Sequence, residues 1–423
     1  LRPPTPVMRI VHITPHLPPE QAANALLPFQ LGEWATARGD SVHYIAHPPA
    51  LSPVEEQAAG PADPRPQAAV GGNRREAAAG ARGERGDVQG PASGVRNITW
   101  IPRTKPSVWQ RAARLGSIAG AWRIRREAQD ILKAADVVHV HSNGLLPEIG
   151  ARIAHGLGKP VVLTLYGTEI WHYRRKPLGP DLFTRAYRRA GAVTFYSQRL
   201  LERARELGLE RPRCYAIYPP VAAPFRYHDP AAMGGQRRAL GLTAANVLVN
   251  VKRLHPLAGQ RWLLEAMADV VRDHPDTHLV ICGAGALLPQ LQTVARSTGV
   301  EGHVTFAGLV DNALVARYCA AADLFVLPSL LEALPTVAVE ALACGTPVIS
   351  SDNPGGVELH GVFGDDVAVV PKEQPAALAA AIGAALRQKR RTRPSTQAIV
   401  EQRFRADAVA RQYFDVYAEV MRT

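Results

Sequence analysis

Two kinds of apolar pattern alternate along the chain: short β-branched runs, and longer segments in which apolar positions recur every three or four residues. "MRIVHITP" is a β-branched run ending at Pro15 and reads as a strand, with Met8 opening it. "QAANALLPFQLGEWATARG" has helical spacing, Gly39 stops it, and "SVHYIAHPP" is the next strand. Strand, helix and strand in such short order form the βαβ unit of a parallel sheet. Residues 50–95 break the order: they are rich in Ala, Gly, Pro and Arg, lack apolar periodicity and read as a mobile insertion. An Arg-rich helix is expected in "SVWQRAARLGSIAGAWRIRREAQDILKAA", then a buried strand in "DVVHVHS", a further helix and the strand "KPVVLTLYGTE". A helix at 180–190 and the strand "AVTFYS" complete a first doubly wound half.

The Pro-rich stretch "CYAIYPPVAAPFRYHDP", residues 214–230, lacks helical period and is read as a hinge. A second βα series starts at "NVLVNVKRL" and continues through "THLVICGAG", "HVTFAGLV", "DLFVLPS", "TPVISS" and "VAVVP", with helices between. The tail "ADAVARQYFDVYAEVMR" is a final amphipathic helix. The fold class is α/β, two Rossmann-like doubly wound domains over 1–222 and 223–404, facing across a cleft where a ligand is expected.

The bulk numbers narrow the function classes. A chain of 423 residues that is 47% hydrophobic and 20% charged is globular, with no apolar run long enough to span a bilayer. Its start has no secretion signal, and Met8 is a candidate natural start after a loose leader. Cys214, Cys282, Cys319 and Cys344 are scattered, so no structural zinc or disulfide framework is expected, and a reducing cytoplasm fits. A formal net charge of +12 raises nucleic acid, anionic lipid and phosphorylated substrates, against Arg-rich solvated faces as the plain account. No basic stripe with interleaved aromatics supports nucleic acid. The helix with Trp109 and Trp122 could touch an anionic membrane, although an amphipathic packed helix is the favoured account.

Candidate chemistry collects in "PSLLEALPTVAVEALACGTPVISS", where Glu332 and Glu340 stand eight positions apart. Pro335 is a good first helical residue and Gly345 a good one just past the end, so a helix should start near Leu334–Thr336. Its unpaired amides and positive dipole end suit a diphosphate. Carboxylates on either side could hold two polyol groups, the shape of a nucleotide diphosphate-sugar. Arg253 after "VNV" and the glycines of "ICGAGA" end neighbouring strands. The spacing alone favours the plainer account, in which Glu340 caps or solvates the helix and Glu332 is a loop residue.

The wider sequence reverses that preference. "EALPTVAVEALACGTPVIS", "ICGAGALLPQLQTVARSTGVEGHVTFAGLV", "VKRL" and "ARGDSVHYIA" together resemble the retaining glycosyltransferases of family 4, of GT-B fold, over nearly everything except 50–95. The resemblance implies that Glu332 contacts the donor sugar, Glu340 holds the ribose and Arg253 neutralises the diphosphate. It places the base against the backbone of Gly308 and Leu309, and Gly283 and Gly285 in the pocket lining. The terminal helix 405–423 resembles one that crosses back onto the first domain. Where the family has paired glycines in its first loop this chain has Ala22 and Ala23, before Asn24; its diphosphate lysine is Ala258, its strand-end histidine Tyr166, and its glycine after the first Glu is Ala333. Lys252 is a candidate replacement cation, although it neighbours Arg253 on a strand.

His139 and His141 alternate along a strand, so one is expected on each side; His141 is a candidate near the acceptor, although a satisfied structural histidine is the favoured account. Glu169 is read as a strand-end residue that could meet acceptor hydroxyls, with a structural role again the favoured account. No Asp-x-Asp triplet occurs, so charge on the leaving diphosphate falls to the helix start and Arg253, with Lys252 or Arg317. The expectation is a cytoplasmic, metal-independent enzyme, monomer or homodimer, with no cofactor. It would take a UDP- or GDP-sugar and a hydroxyl acceptor, with peripheral membrane contact as an added option. A same-fold epimerase or hydrolase and a weakly active carbohydrate- or nucleotide-binding protein are the alternatives.

Overall fold

The computed structural model describes residues 7–18, 20, 23–49, 97–109, 117–175, 181–209 and 211–422. The stretch 50–95, read above as an insertion, and Ala22 lie outside the described residues. Two compact units are present, residues 1–159 and 160–423.

The strands are β1 (Arg9–Thr14), β2 (Ser41–Ala46), β3 (Ile98–Trp100), β4 (Val137–His141), β5 (Val161–Leu165), β6 (Ala192–Phe195), β7 (Cys214–Ala216), β8 (Asn246–Val251), β9 (Thr277–Cys282), β10 (Val304–Gly308), β11 (Leu324–Leu327), β12 (Val348–Ser351) and β13 (Val367–Val370). One seven-stranded sheet has the order β3-β2-β1-β4-β5-β6-β7, and one six-stranded sheet has β10-β9-β8-β11-β12-β13. The registers run parallel, with Ile10 opposite Val137 and Val249 opposite both Val280 and Phe325. β4, β5, β6, β11 and β12 are buried at every position. Strands covered on both faces read as unbroken apolar runs, which is why the sequence shows them as such. Both orders are doubly wound, so the Rossmann-like expectation holds for each sheet.

Two strands went unread because they are short. β3 pairs with β2 through Ile98, Thr99 and Trp100, and β7 pairs with β6 through Cys214, Tyr215 and Ala216. The stretch read as a hinge therefore begins with strand. Within the Arg-rich segment, of which residues 110–116 lie outside the described residues, a helix runs Ile118–Ala134, and the Ser117 hydroxyl accepts from the Gly120 amide at 3.0 Å as its cap. Gly120, Ile124, Ala128 and Leu132 form its buried stripe, while Trp122 is 62% exposed. The closing helix Ala406–Met421 buries Tyr413 and Tyr417, and its Glu419 accepts from the Tyr215 hydroxyl at 2.7 Å.

Among the described residues, no helix is long and apolar enough to cross a membrane.

Candidate active site

In the six-stranded sheet the strand order reverses between β8 and β11, so the chain leaves those neighbours in opposite directions and opens a crevice beyond their carboxyl ends. The segments leaving β8 and β9 run close together. Lys252 N–H donates to the Cys282 carbonyl and Leu254 N–H to the Ala284 carbonyl, each at 3.0 Å. Side chains do not fit between them: a Cβ on Gly283 would lie 2.1 Å from the Lys252 carbonyl oxygen, and one on Gly285 2.2 Å from that of Leu254. Gly283 also has φ +147, which a side chain would strain. Both glycines are thus explained by backbone approach. Gly283 N–H in turn donates to the Gly308 carbonyl at 2.7 Å, and Leu309 beside it is 85% exposed.

The segment leaving β11 brings Glu332 to the same place. Leu330 N–H donates to the Leu257 carbonyl at 2.9 Å, and Gly355 N–H to the Glu332 carbonyl at 3.1 Å, fixing the loop at both ends. The Glu332 carboxylate forms an ion pair with the Lys252 ammonium; their side chains are 11% and 31% exposed. Lys252 was expected to find its partner in a diphosphate, and in the structure that partner is Glu332. Removing both ions from bulk water raises the attraction between them, so neither is a free surface charge. Arg253, directly after Lys252, is exposed.

The helix Thr336–Ala343 begins one residue later than expected, with Pro335 as its cap rather than its first turn and no side chain bonding its start. Gly345 follows its end at φ +91, where glycine is favoured. Leu334 and Pro335 are buried, and Glu340 lies in the helix's second turn. Burial pushes the Glu340 carboxyl up to about 7. Tyr196, not singled out in the sequence, adds to this corner: burial, with smaller contributions from Tyr413 and Glu340, raises its phenol, and its ring lies 4.9 Å from that of Tyr166. Gln260 was missed as well. It is buried, and its amide donates to the Lys252 carbonyl at 3.4 Å and the Arg253 carbonyl at 3.3 Å, holding the turn that presents both cations.

The Glu340 shift has a testable sign. Hydroxyl donors favour the carboxylate, so a bound ribose would lower this pKa and release a proton wherever the free group is protonated. Affinity for a nucleoside diphosphate is therefore expected to be full above about pH 7 and to weaken by up to tenfold per unit below it. Glu340→Gln should bind more weakly and lose that slope. Titration calorimetry from pH 5.5 to 8.5 checks it, and a slope retained by the variant would reject Glu340 as its source.

Several candidates sit elsewhere or are otherwise engaged. Ala23 and Asn24 open the helix Ala23–Ala37 rather than a loop, and the Asn24 carbonyl accepts from the Thr14 hydroxyl. Glu169 lies in the short helix Thr168–Trp171, where its buried carboxylate accepts from the Gly167 and Tyr166 amides at 2.9 and 3.3 Å. It ties a turn instead of waiting for acceptor hydroxyls. Arg317 points to the helix Pro230–Ala239, donating to Gln236 at 3.3 Å and to the Ala239 carbonyl at 3.4 Å. His141 is fully buried on β4 in the first unit. The expectation that His139 and His141 face opposite sides is wrong: residues two apart on a strand share a face, and the ring centroids are 3.9 Å apart.

Residues 29–223 match the family described as Glycosyltransferase Family 4, and residues 236–401 match Glycosyl transferases group 1. The GDP-mannose-dependent alpha-(1-6)-phosphatidylinositol monomannoside mannosyltransferase of Mycolicibacterium smegmatis is 35% identical over 172 residues, 38% of this chain and 44% of that protein. The D-inositol 3-phosphate glycosyltransferase of Geodermatophilus obscurus is 35% identical over 188 residues, 42% of this chain and 41% of that protein. The match thus spans less than half the length of these curated relatives. In structure, HepE of Anabaena in complex with UDP superimposes with a TM-score of 0.67 over 97% of this chain and 100% of its own, at 20% identity. With two family matches that divide most of its length, and two sheets of doubly wound order, the chain belongs to glycosyltransferase family 4 and has the GT-B fold.

Proposed function

We propose that this chain is a retaining glycosyltransferase that moves a sugar from a nucleoside diphosphate to a hydroxyl acceptor, with no metal ion in the transfer step. The observation that carries the reading is the convergence of Lys252, Arg253, Glu332 and the open start of the helix Thr336–Ala343 where the six-stranded sheet changes direction. Two cations and a helix dipole can meet the charge that develops on a departing diphosphate, which is the larger part of the catalytic task. Glu332 would orient the sugar through its hydroxyls, and Glu340 would accept from the ribose. Front-face departure and attack, with the leaving phosphate taking the acceptor proton, asks for no protein nucleophile.

The name of the mycobacterial relative makes GDP-mannose the first donor to try, and the UDP held by HepE makes a UDP-sugar the second. The acceptor is a hydroxyl of a sugar, polyol, glycolipid or natural product. The decisive assay follows donor consumption with and without acceptors. Consumption that rises with acceptor and yields a product of unchanged anomeric configuration supports the reading. Equal consumption in both would make the chain a donor hydrolase, and none with any sugar nucleotide would leave a binding protein.

Membrane contact belongs to the same proposal. Ile118 and Trp122 are exposed beside Arg125 and Arg126, and the Arg126 guanidinium lies 5.2 Å from the Trp122 ring centre. Aromatic and cationic groups on one helix face suit the anionic inner surface of a cell membrane. Co-sedimentation with phosphatidylglycerol vesicles should exceed that with phosphatidylcholine, and Trp122→Ala with Arg126→Ala should reduce it. Equal recovery with both lipids would remove the membrane from the reading.

A further inference from the structure

The histidines of β1 and β4 have no role in the chemistry above. His12 and His139 are direct partners across the β1–β4 ladder, and Tyr44 of β2 is the partner of His12 on its other side. His141 follows His139 on the same face. All three imidazoles are fully buried. His12 Nδ1 and His141 Nε2 are 3.0 Å apart, and the His12 ring centroid lies 5.4 Å from that of His139 and 5.2 Å from that of His141. One nitrogen of each ring lies within 4.8 Å of the other two.

A core that needed only volume would not use three imidazoles. Each buried ring nitrogen costs free energy unless it is satisfied, and His12 Nε2 has no partner among the described residues. Imidazole ligates metals through a ring nitrogen, and each of the three rings has one within reach of the other two.

We propose that His12, His139 and His141 form a buried site for one divalent transition-metal ion, of which zinc is the leading example. Nitrogen ligands select zinc, cobalt, nickel or copper over magnesium and calcium, which take oxygen. Zinc–nitrogen bonds of about 2.0–2.1 Å set tetrahedral ligand nitrogens about 3.3 Å apart. The His12–His141 pair is already near that spacing, and modest rotation of the rings brings in the third. The fourth position falls to water or a small anion. An ion here would cross-link β1 to β4, the neighbours at which the first sheet changes direction. It has no step in sugar transfer, so its fate is independent of that reading.

The test uses the full chain, stripped with a chelator and titrated with Zn²⁺ or Co²⁺. One equivalent should bind per chain, raise the unfolding temperature and, for cobalt, give the intense visible absorption of a low-coordinate site. His139→Gln should lose that equivalent and weaken affinity roughly 100-fold or more. Less than one equivalent in the unaltered chain, or the same uptake and thermal shift in His139→Gln, would place the metal on surface histidines and overturn the proposal. Should His139→Gln fail to fold, the cobalt spectrum of the unaltered chain decides, and a weak six-coordinate spectrum overturns it equally.

Discussion

Glu332→Gln is expected to slow sugar transfer by roughly 100-fold or more while changing the affinity for a nucleoside diphosphate by no more than about threefold. The amide keeps the shape of the side chain but loses the charge that accepts from sugar hydroxyls and holds Lys252. The half-buried pair makes this a sharper test than a surface carboxylate would. Freed from Glu332, the Lys252 ammonium remains available to the diphosphate, so nucleotide affinity should hold or rise slightly while turnover falls. Transfer rate at saturating donor and calorimetric binding of the diphosphate are the two measurements. Turnover within about threefold of the parent would remove Glu332 from the donor site; a parallel collapse of both would make it a structural residue of the loop.

The sequence revealed the second sheet more fully than the first, and the reason is local. β11 is an unbroken apolar run, and every strand from β8 to β13 has at least four residues, enough for its apolar positions to show between well-marked helices. β3 and β7 have three residues each, too few for any period, and exist because a neighbouring strand offers its edge. The start of the helix Thr336–Ala343 was legible to within one residue from Pro335 and Gly345. The two glycines of "ICGAGA" were legible as special, although their reason is contact with the Lys252 and Leu254 carbonyls.

Partners distant in sequence were not legible. Lys252 and Glu332 are eighty residues apart and meet because β8 and β11 are neighbours in the sheet, which no spacing rule encodes. Arg317 looked like a spare cation in the chain, yet helix packing directs it to Gln236 and the Ala239 carbonyl. Glu169 looked like a strand end facing substrate, and its carboxylate instead satisfies two amides of a tight turn. The error over His139 and His141 was of a different kind. The two-residue period of a strand already placed them on one face, while their meeting with His12 depends on the β1–β4 pairing.

Lys252→Ala is expected to weaken nucleoside diphosphate binding by roughly 1–3 kcal/mol, the range for losing a charged hydrogen bond. Where the family carries a diphosphate lysine this chain has Ala258, which is 1% exposed in the turn Pro256–Ala258, so no cation acts from there. Lys252 and Arg253 are the cations that the end of β8 supplies, and Gln260 holds the turn presenting both. Arg253→Ala should cost more, because a guanidinium can bond two phosphate oxygens at once. Lys252 has a second effect to separate: its loss strands the largely buried Glu332 carboxylate, which costs stability by itself. Lys252→Ala combined with Glu332→Gln removes that penalty. If the ammonium touches the diphosphate, the double variant stays weak toward UDP and GDP while UMP and GMP, lacking the second phosphate, bind nearly as before. If Lys252 serves only to neutralise Glu332, the double variant recovers the parent's diphosphate affinity, and Arg253 with the helix start is then sufficient for the leaving group.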